Sequence, residues 1–239
     1  MKRLLTFTAA AVLPILSTTA LADTVKIGLI ASYTGAFATW GPQFQRAVEA
    51  YQAVNGKTVK GPDGNAHEIQ FIYRDAASAG PDKIKQLAEE LVLRDRVKFL
   101  TGLELSPYAM VLADISQQAK IPVVIMNAGA APIVRSSPYF VRVSFTAAQF
   151  SMPGARWAAK NGLKTGYVIV SDYAPGHEAE PYFTKGFESG GGRILGSSRT
   201  PQQETNFSVY MEKVLQAKPD VLFMFQPAGS PSIASSRPM

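Results

Sequence analysis

The chain has no cysteine and only two histidines, His67 and His177, in 239 residues. Without cysteine there is no disulfide framework, no thiolate nucleophile and no thiolate metal site. Neither histidine has a second ligand at metal spacing, so no metal and no cofactor is expected. The run Gly190-Gly191-Gly192 lacks the Lys-Ser/Thr of a phosphate loop and reads as a connector. No G-x-S-x-G elbow occurs, and no Ser/His/Asp set assembles from so few histidines. An enzyme is therefore not expected. Charged residues make up 18% of the chain, and two of its six net positive charges sit at Lys2 and Arg3. The rest are too few and too scattered to argue for nucleic acid. No apolar run reaches the roughly 20 residues of a membrane span.

What is present begins with a secretory pattern. Lys2 and Arg3 are followed by the apolar stretch Leu4 to Ile15 and by Ala20-Leu21-Ala22, a small-residue cleavage site. Residues 1–22 are thus expected to be a signal peptide cut after Ala22, which places the protein in the periplasm. The remaining composition, 46% hydrophobic, suits one or two soluble domains with a sizeable core.

The pattern then alternates. Val25 to Ala31 is an apolar run that reads as a buried strand, and it ends in the loop Ser-Tyr-Thr-Gly-Ala-Phe-Ala-Thr-Trp-Gly. Pro42 opens a helix with Phe44, Ala47, Val48 and Tyr51 on one face, stopped at Asn55-Gly56. His67 to Tyr73 is a second strand, and Ile84, Leu87, Ala88 and Leu91 stripe a second helix. Residues 99–135 form the central unit. A strand over Val97 to Thr101 leads to Ser106-Pro107, which reads as the N-cap and first residue of a helix carrying Tyr108, Val111, Leu112, Ile115 and Ala119. A strand over Ile121 to Met126 follows. Strand–helix–strand with apolar strands predicts a parallel pair, whose loops share the carboxyl edge where open α/β sheets bind ligands. Tyr139 to Val143 closes the series. A second α/β series starts after Ser144, with strands at Tyr167 to Ser171, Arg193 to Ser197 and Val221 to Phe225, and helices between them. From Gly229 on, Ser, Pro and Ala dominate without apolar period, which reads as disorder.

The order of these segments resembles that of periplasmic solute-binding proteins of ABC importers, in the leucine/isoleucine/valine-binding family. The residues that carry the resemblance are Val-Lys-Ile-Gly-Leu-Ile-Ala-Ser-Tyr-Thr-Gly from Val25, the Asp75 loop, the loop from Gly102 to Pro107, Asn127-Ala128-Gly129 with Pro132, the segment from Ser136 to Phe145, and Val170-Ser171-Asp172-Tyr173. It implies a two-lobed type I periplasmic-binding α/β fold, with a doubly wound, mostly parallel first lobe over residues 23–144. The second lobe, 145–228, is incomplete, and 229–239 is a tail. Family members continue past Phe225, so a chain ending here is expected to bind poorly or not at all. The resemblance further implies Ser106 and the backbone around Ala128, Gly129 and Ala130 against a ligand carboxylate, Trp40 packing over the ligand, and Tyr173 closing from the second lobe. Members that bind branched-chain amino acids carry a threonine where this chain has Ala130. That difference and the flat face of Trp40 favour an aromatic or other apolar acid.

Each of these residues has a plain structural alternative. Ser106 is also a helix start, Trp40 a packed surface aromatic, Asn127 a backbone-satisfying turn residue and Tyr173 an exposed ring. Gln226 would face the same cleft. Asp75 and Arg74 could form a surface ion pair of little worth, while the resemblance implies that Asp75 is a structural loop residue more than a ligand contact; Glu104 looks like a solvated lone carboxylate. The function implied is capture of a small organic acid, or a branched-chain amino acid, by a monomer that delivers it to an ABC-importer permease. The alternatives are the ligand-sensing domain of a receptor or amide-responsive regulator and, behind it, a secreted α/β hydrolase.

Overall fold

A computed structural model describes residues 23–236; the stretch read as a signal peptide lies outside them. Two sheets carry the fold. The first has six strands in the order β2-β3-β1-β4-β5-β6. They are β1 Thr24–Ala31, β2 Thr58–Lys60, β3 Ala66–Asp75, β4 Phe99–Gly102, β5 Val123–Ile125 and β6 Phe140–Arg142. All pairings are parallel except β2 with β3. The second sheet is β8-β7-β9, all parallel, from β7 Thr165–Ser171, β8 Arg193–Thr200 and β9 Val221–Phe225.

Both faces of β1 are apolar, as a strand inside a parallel sheet requires. Ile30 faces a core with Leu100, Val123, Ile125 and Phe140, covered by helices α2 (Pro81–Glu89), α3 (Ser106–Met110) and α4 (Ala113–Ala119). Leu29 and Ala31 face Phe44 and Val48 of α1 (Trp40–Asn55). On that side α1 is the one covering helix among the described residues, and Ile27, Phe99, Val124 and Val143 border an open apolar depression. In the second sheet, α5 (Ala147–Lys160) and α6 (Ala174–Glu188) cover one face through Ala155, Phe183 and Phe187, while α7 (Ser208–Ala217) covers the other through Val214. A helix inside residues 147–160 is secured by a capping box at Thr146 and Gln149, despite Pro153.

The structure departs from the sequence pattern in four places. The single helix expected after Pro107 is two short ones. The Leu112 N–H bonds three residues back to Ala109, which breaks the stripe and leaves Ala119 exposed. Leu105, not Ser106, stands at the N-cap of α3, without a side-chain bond. β2 is an edge strand of three exposed residues with no period to betray it. The tail read as disordered forms α8 over Ser230–Ser235 instead. It is pinned because Gly229 lies against Ala36 and Phe37, and the Ser230 N–H donates to the Ala36 carbonyl at 3.0 Å.

Asp75, at the end of β3, is a loop organiser rather than an ion-pair partner. Its carboxylate accepts the N–H groups of Tyr33, Thr34 and Ala77 and the Thr34 hydroxyl. Arg74 instead pairs with Asp95. Burial works against the Asp75 charge, but these hydrogen bonds outweigh it and hold the carboxyl below its usual range. A depressed carboxyl stabilises the fold above the ordinary pKa of about 3.9 and loses that contribution as pH falls below it. Asp75→Ala is therefore expected to cost about 1.5 kcal/mol in urea unfolding at pH 7, with the difference from the parent shrinking at pH 3. An equal difference at both pH values would contradict this.

A cavity between the two sheets

A cavity of about 320 Å³ opens over the carboxyl ends of strands from both sheets. The first sheet contributes Trp40 from the helix after β1, Glu104, Leu105 and Ser106 after β4, and Asn127 and Gly129 after β5. β1 pairs in parallel with β3 on one side and β4 on the other, so successive strands are added on opposite sides of β1 and the winding reverses there. Such a switch point is where an open α/β sheet leaves a crevice. The second sheet contributes Phe145 and Phe150 around the start of α5, Tyr173 and Pro175 after β7, and Phe225, Gln226, Pro227 and Ala228 after β9.

The second-sheet wall is a run of rings. Phe225 stacks on Tyr173 with centroids 6.1 Å apart and planes 6° apart, and on Phe150 at 5.1 Å and 26°. Phe145 meets Phe150 edge-on at 5.3 Å. These offset and edge-on geometries are the favoured ones for aromatic pairs. Opposite, Trp40 packs on Phe44 at 5.4 Å. Burial pushes the Tyr173 phenol up, so it stays neutral.

Polar groups are few and mostly donors. The Ser106 hydroxyl oxygen accepts the Ala130 N–H at 3.1 Å, which leaves its proton for a further acceptor. Trp40 Nε1 and Gln226 Nε2 are buried without a protein partner. Gln226 is held by the Thr200 hydroxyl, which donates to its Oε1 at 3.1 Å. Asn127 Nδ2 donates to the Glu104 carbonyl at 2.8 Å, and the Ser144 hydroxyl donates to the Asn127 carbonyl at 3.1 Å.

Glu104 is 2% exposed, not solvated. Gly102 and Leu103 both adopt positive φ, +97° and +64°, and this double left-handed turn folds residue 104 back toward β1. There Glu104 Oε1 accepts the Ser32 N–H at 3.0 Å and the Ser32 hydroxyl at 2.5 Å. Oε2 has no protein partner. Burial raises the Glu104 pKa to about 7, against the opposing effect of the Ser32 bonds.

The structure brings Trp40, Ser106, Asn127, Gly129 and Tyr173 to one cavity. Ala128 and Ala130 lie buried behind its wall. Their N–H groups are taken by the Leu103 carbonyl and by Ser106 Oγ, so neither points free at the cavity. The next N–H, of Ala131, donates across the cleft to both oxygens of Glu178 on α6, at 3.0 and 2.9 Å. Sequence reasoning missed Phe145, Phe150 and Phe225. Each is an ordinary core-type residue in its own segment, and only the topology sets them side by side.

Residues 24–234 match the periplasmic binding protein family. The chain is 39% identical over 222 residues to Leu/Ile/Val-binding protein homolog 6 of Brucella abortus (strain 2308), an alignment covering 93% of this chain and 56% of that protein. A solute-binding protein of an ABC transporter from R. palustris, solved in complex with 4-hydroxybenzoate, superposes with a TM-score of 0.84 at 38% identity, covering 89% of this chain and 56% of that one. Another, from Rhodopseudomonas palustris BisB5 with 3,4-dihydroxy benzoic acid, gives a TM-score of 0.82 at 40% identity over 87% of this chain and 55% of that one. The chain spans about half the length of the curated relatives it matches. The two largely parallel sheets, the crevice between them and these matches agree: the chain belongs to the periplasmic binding protein family, with the type I fold.

Proposed function

We propose that this cavity captures a small aromatic carboxylic acid outside the cytoplasmic membrane and that the protein delivers it to the permease of an ABC importer, without catalysis. The observation that carries the reading is the pair of facing walls, Trp40 on one side and the stacked Tyr173, Phe225 and Phe150 on the other. A flat ring buried between them gains roughly 1–2 kcal/mol of aromatic contact beyond its area. Ser106, Trp40 and Gln226 supply neutral donors for a carboxylate. The similar proteins solved with 4-hydroxybenzoate and 3,4-dihydroxy benzoic acid support this ligand class, and the family supports a periplasmic location. Closure of one lobe on the other is driven by the contacts the ligand makes with both walls at once.

The test is a thermal-shift and calorimetric panel on the purified chain with benzoate, 4-hydroxybenzoate and L-leucine. A ligand at 100 times its Kd stabilises by about 2.7 kcal/mol, so a shift is expected with the two aromatic acids. A shift with L-leucine alone would overturn the reading. Trp40→Ala is expected to weaken 4-hydroxybenzoate at least about tenfold while leaving unfolding cooperative. Unchanged affinity would remove Trp40 from the site.

A further inference from the structure

The cavity sets an electrostatic problem. Among the described residues that line it, none is Lys, Arg or His. The guanidinium of Arg142, close by, is committed to the carbonyls of Ala128 and Ala130 and faces Glu178. The one acid on the lining is Glu104, and the one other titratable group there is Tyr173. An anionic ligand entering this space therefore meets a carboxyl group and no cation. Two carboxylates confined together in an apolar site cannot both stay charged.

The position of Glu104 offers a resolution. Ser32 holds Oε1 by two hydrogen bonds, while Oε2 has no protein partner. Leu105 and Ser106, the next two residues, also line the cavity, and the Ser106 hydroxyl proton is free to donate. We infer that Glu104 is a proton-carrying specificity residue: in its neutral form it donates a hydrogen bond from Oε2 to the ligand carboxylate, beside the Ser106 hydroxyl, so that capture of the anion is coupled to uptake of one proton. The proton comes from solvent, no covalent bond changes, and the pair leaves the site with a single negative charge. This deepens the aromatic-acid reading above and rests on it.

The surroundings agree in sign. Asp75 at the end of β3 adds its negative charge to that of Glu104, and Tyr33 after β1 and Tyr108 on α3 are neutral phenols nearby. Tyr173 faces the cavity from the other sheet, also neutral. None of these groups offers Glu104 a positive partner. In the ligand-free protein its carboxyl titrates at about 7. A folded-state value above the ordinary one of about 4.3 means the fold loses stability as pH rises from there through 7, and bound acid, by holding the proton on Glu104, carries that loss on to higher pH.

The experiment is calorimetric titration of the full chain with benzoate, with its neutral analogue benzamide and with L-leucine at pH 6, 7, 8 and 9, in two buffers of different ionisation enthalpy at each pH. Benzoate is expected to weaken about fiftyfold from pH 7 to pH 9, with nearly one proton taken up per ligand at pH 9. Benzamide, which can donate its own N–H to a charged Glu104, is expected to change less than threefold over the same range. Glu104→Gln, which keeps a donor at the same place, is expected to bind benzoate with flat pH dependence and no proton uptake. The wild-type proton count needs no variant, so it decides even if Glu104→Gln fails to fold. Benzoate binding at constant affinity without proton uptake would overturn the inference and leave the aromatic-acid reading standing. L-leucine binding that strengthens with pH would make Glu104 an ammonium partner and overturn it. Failure of benzoate to bind at every pH would take down both.

Discussion

Phe225→Ala should abolish measurable capture of 4-hydroxybenzoate, with a loss of at least about 100-fold. Phe225 is the ring that links the wall, stacked on both Tyr173 and Phe150. Removing it deletes the ligand's own contact and frees both neighbours to turn, so the aromatic wall loses its shape. The fold also suffers. Phe225 packs against the α5–α6 core as a partly buried member, and truncating a fully buried phenylalanine costs about 3–5 kcal/mol. Here about 2–3 kcal/mol is expected, read from urea unfolding. Phe225→Leu separates the two effects. It restores much of the stability, because leucine refills most of the space that alanine leaves empty, yet it should leave aromatic acids weakly bound. If the leucine variant binds 4-hydroxybenzoate as the parent does, the ring stack is packing and not a binding wall.

Gly102→Ala is expected to damage the fold severely. The Cβ it adds would stand 2.2 Å from the Ile30 carbonyl oxygen, a backbone atom of the neighbouring strand. That carbonyl is already occupied, accepting the Leu103 N–H at 2.9 Å. No side chain can rotate away to relieve the contact, so β1 and β4 must move apart at the centre of the six-stranded sheet. The φ of +97° adds a cost of its own for any residue with a Cβ. A loss of about 4 kcal/mol or more is expected, which is a large share of a domain's usual 5–15 kcal/mol. The measurement is the urea midpoint, together with soluble yield. A midpoint within 0.5 M of the parent, about 1 kcal/mol for a protein of this size, would show that the sheet absorbs the methyl.

These two residues also mark where the sequence was legible and where it was not. Gly102 could be read as part of a small-residue loop after a strand, and the strand itself was visible because Leu100 and its neighbours sit in an apolar run. Val221 to Phe225 was likewise placed without error, since five apolar residues between a Lys-Pro-Asp turn and a proline have few other fates. The role of Phe225 was not visible. It depends on β9 lying beside β7 in parallel, which brings the ends of both strands to the same edge. Glu104 was misread for a different reason. A lone carboxylate in a loop is usually solvated, and nothing local announces that Leu103 takes a left-handed conformation and turns the next side chain inward. Ser106 does line the cavity, but the helix-start reading does not explain its place there. Its hydroxyl does not cap its own helix; it holds the loop after β5 through the Ala130 N–H. α8 was missed because Ser, Pro and Ala carry no period over so short a segment, and its order comes from a backbone bond to a distant loop.

That bond has a kinetic consequence. Ser230 and Ala36 lie about 190 residues apart, and closing so long a loop is entropically costly until most other contacts exist. Trp40 stands a few residues from one end of that closure, and Phe225 a few residues from the other. The two facing walls are therefore far apart along the chain as well as opposed across the cleft. In a chain that emerges from its N-terminus, the first sheet can assemble long before the second wall exists, and the ability to hold a ligand should be the last property to appear during refolding. A refolding time course would then show two clocks, an early rise in secondary structure and a later, slower gain of ligand response.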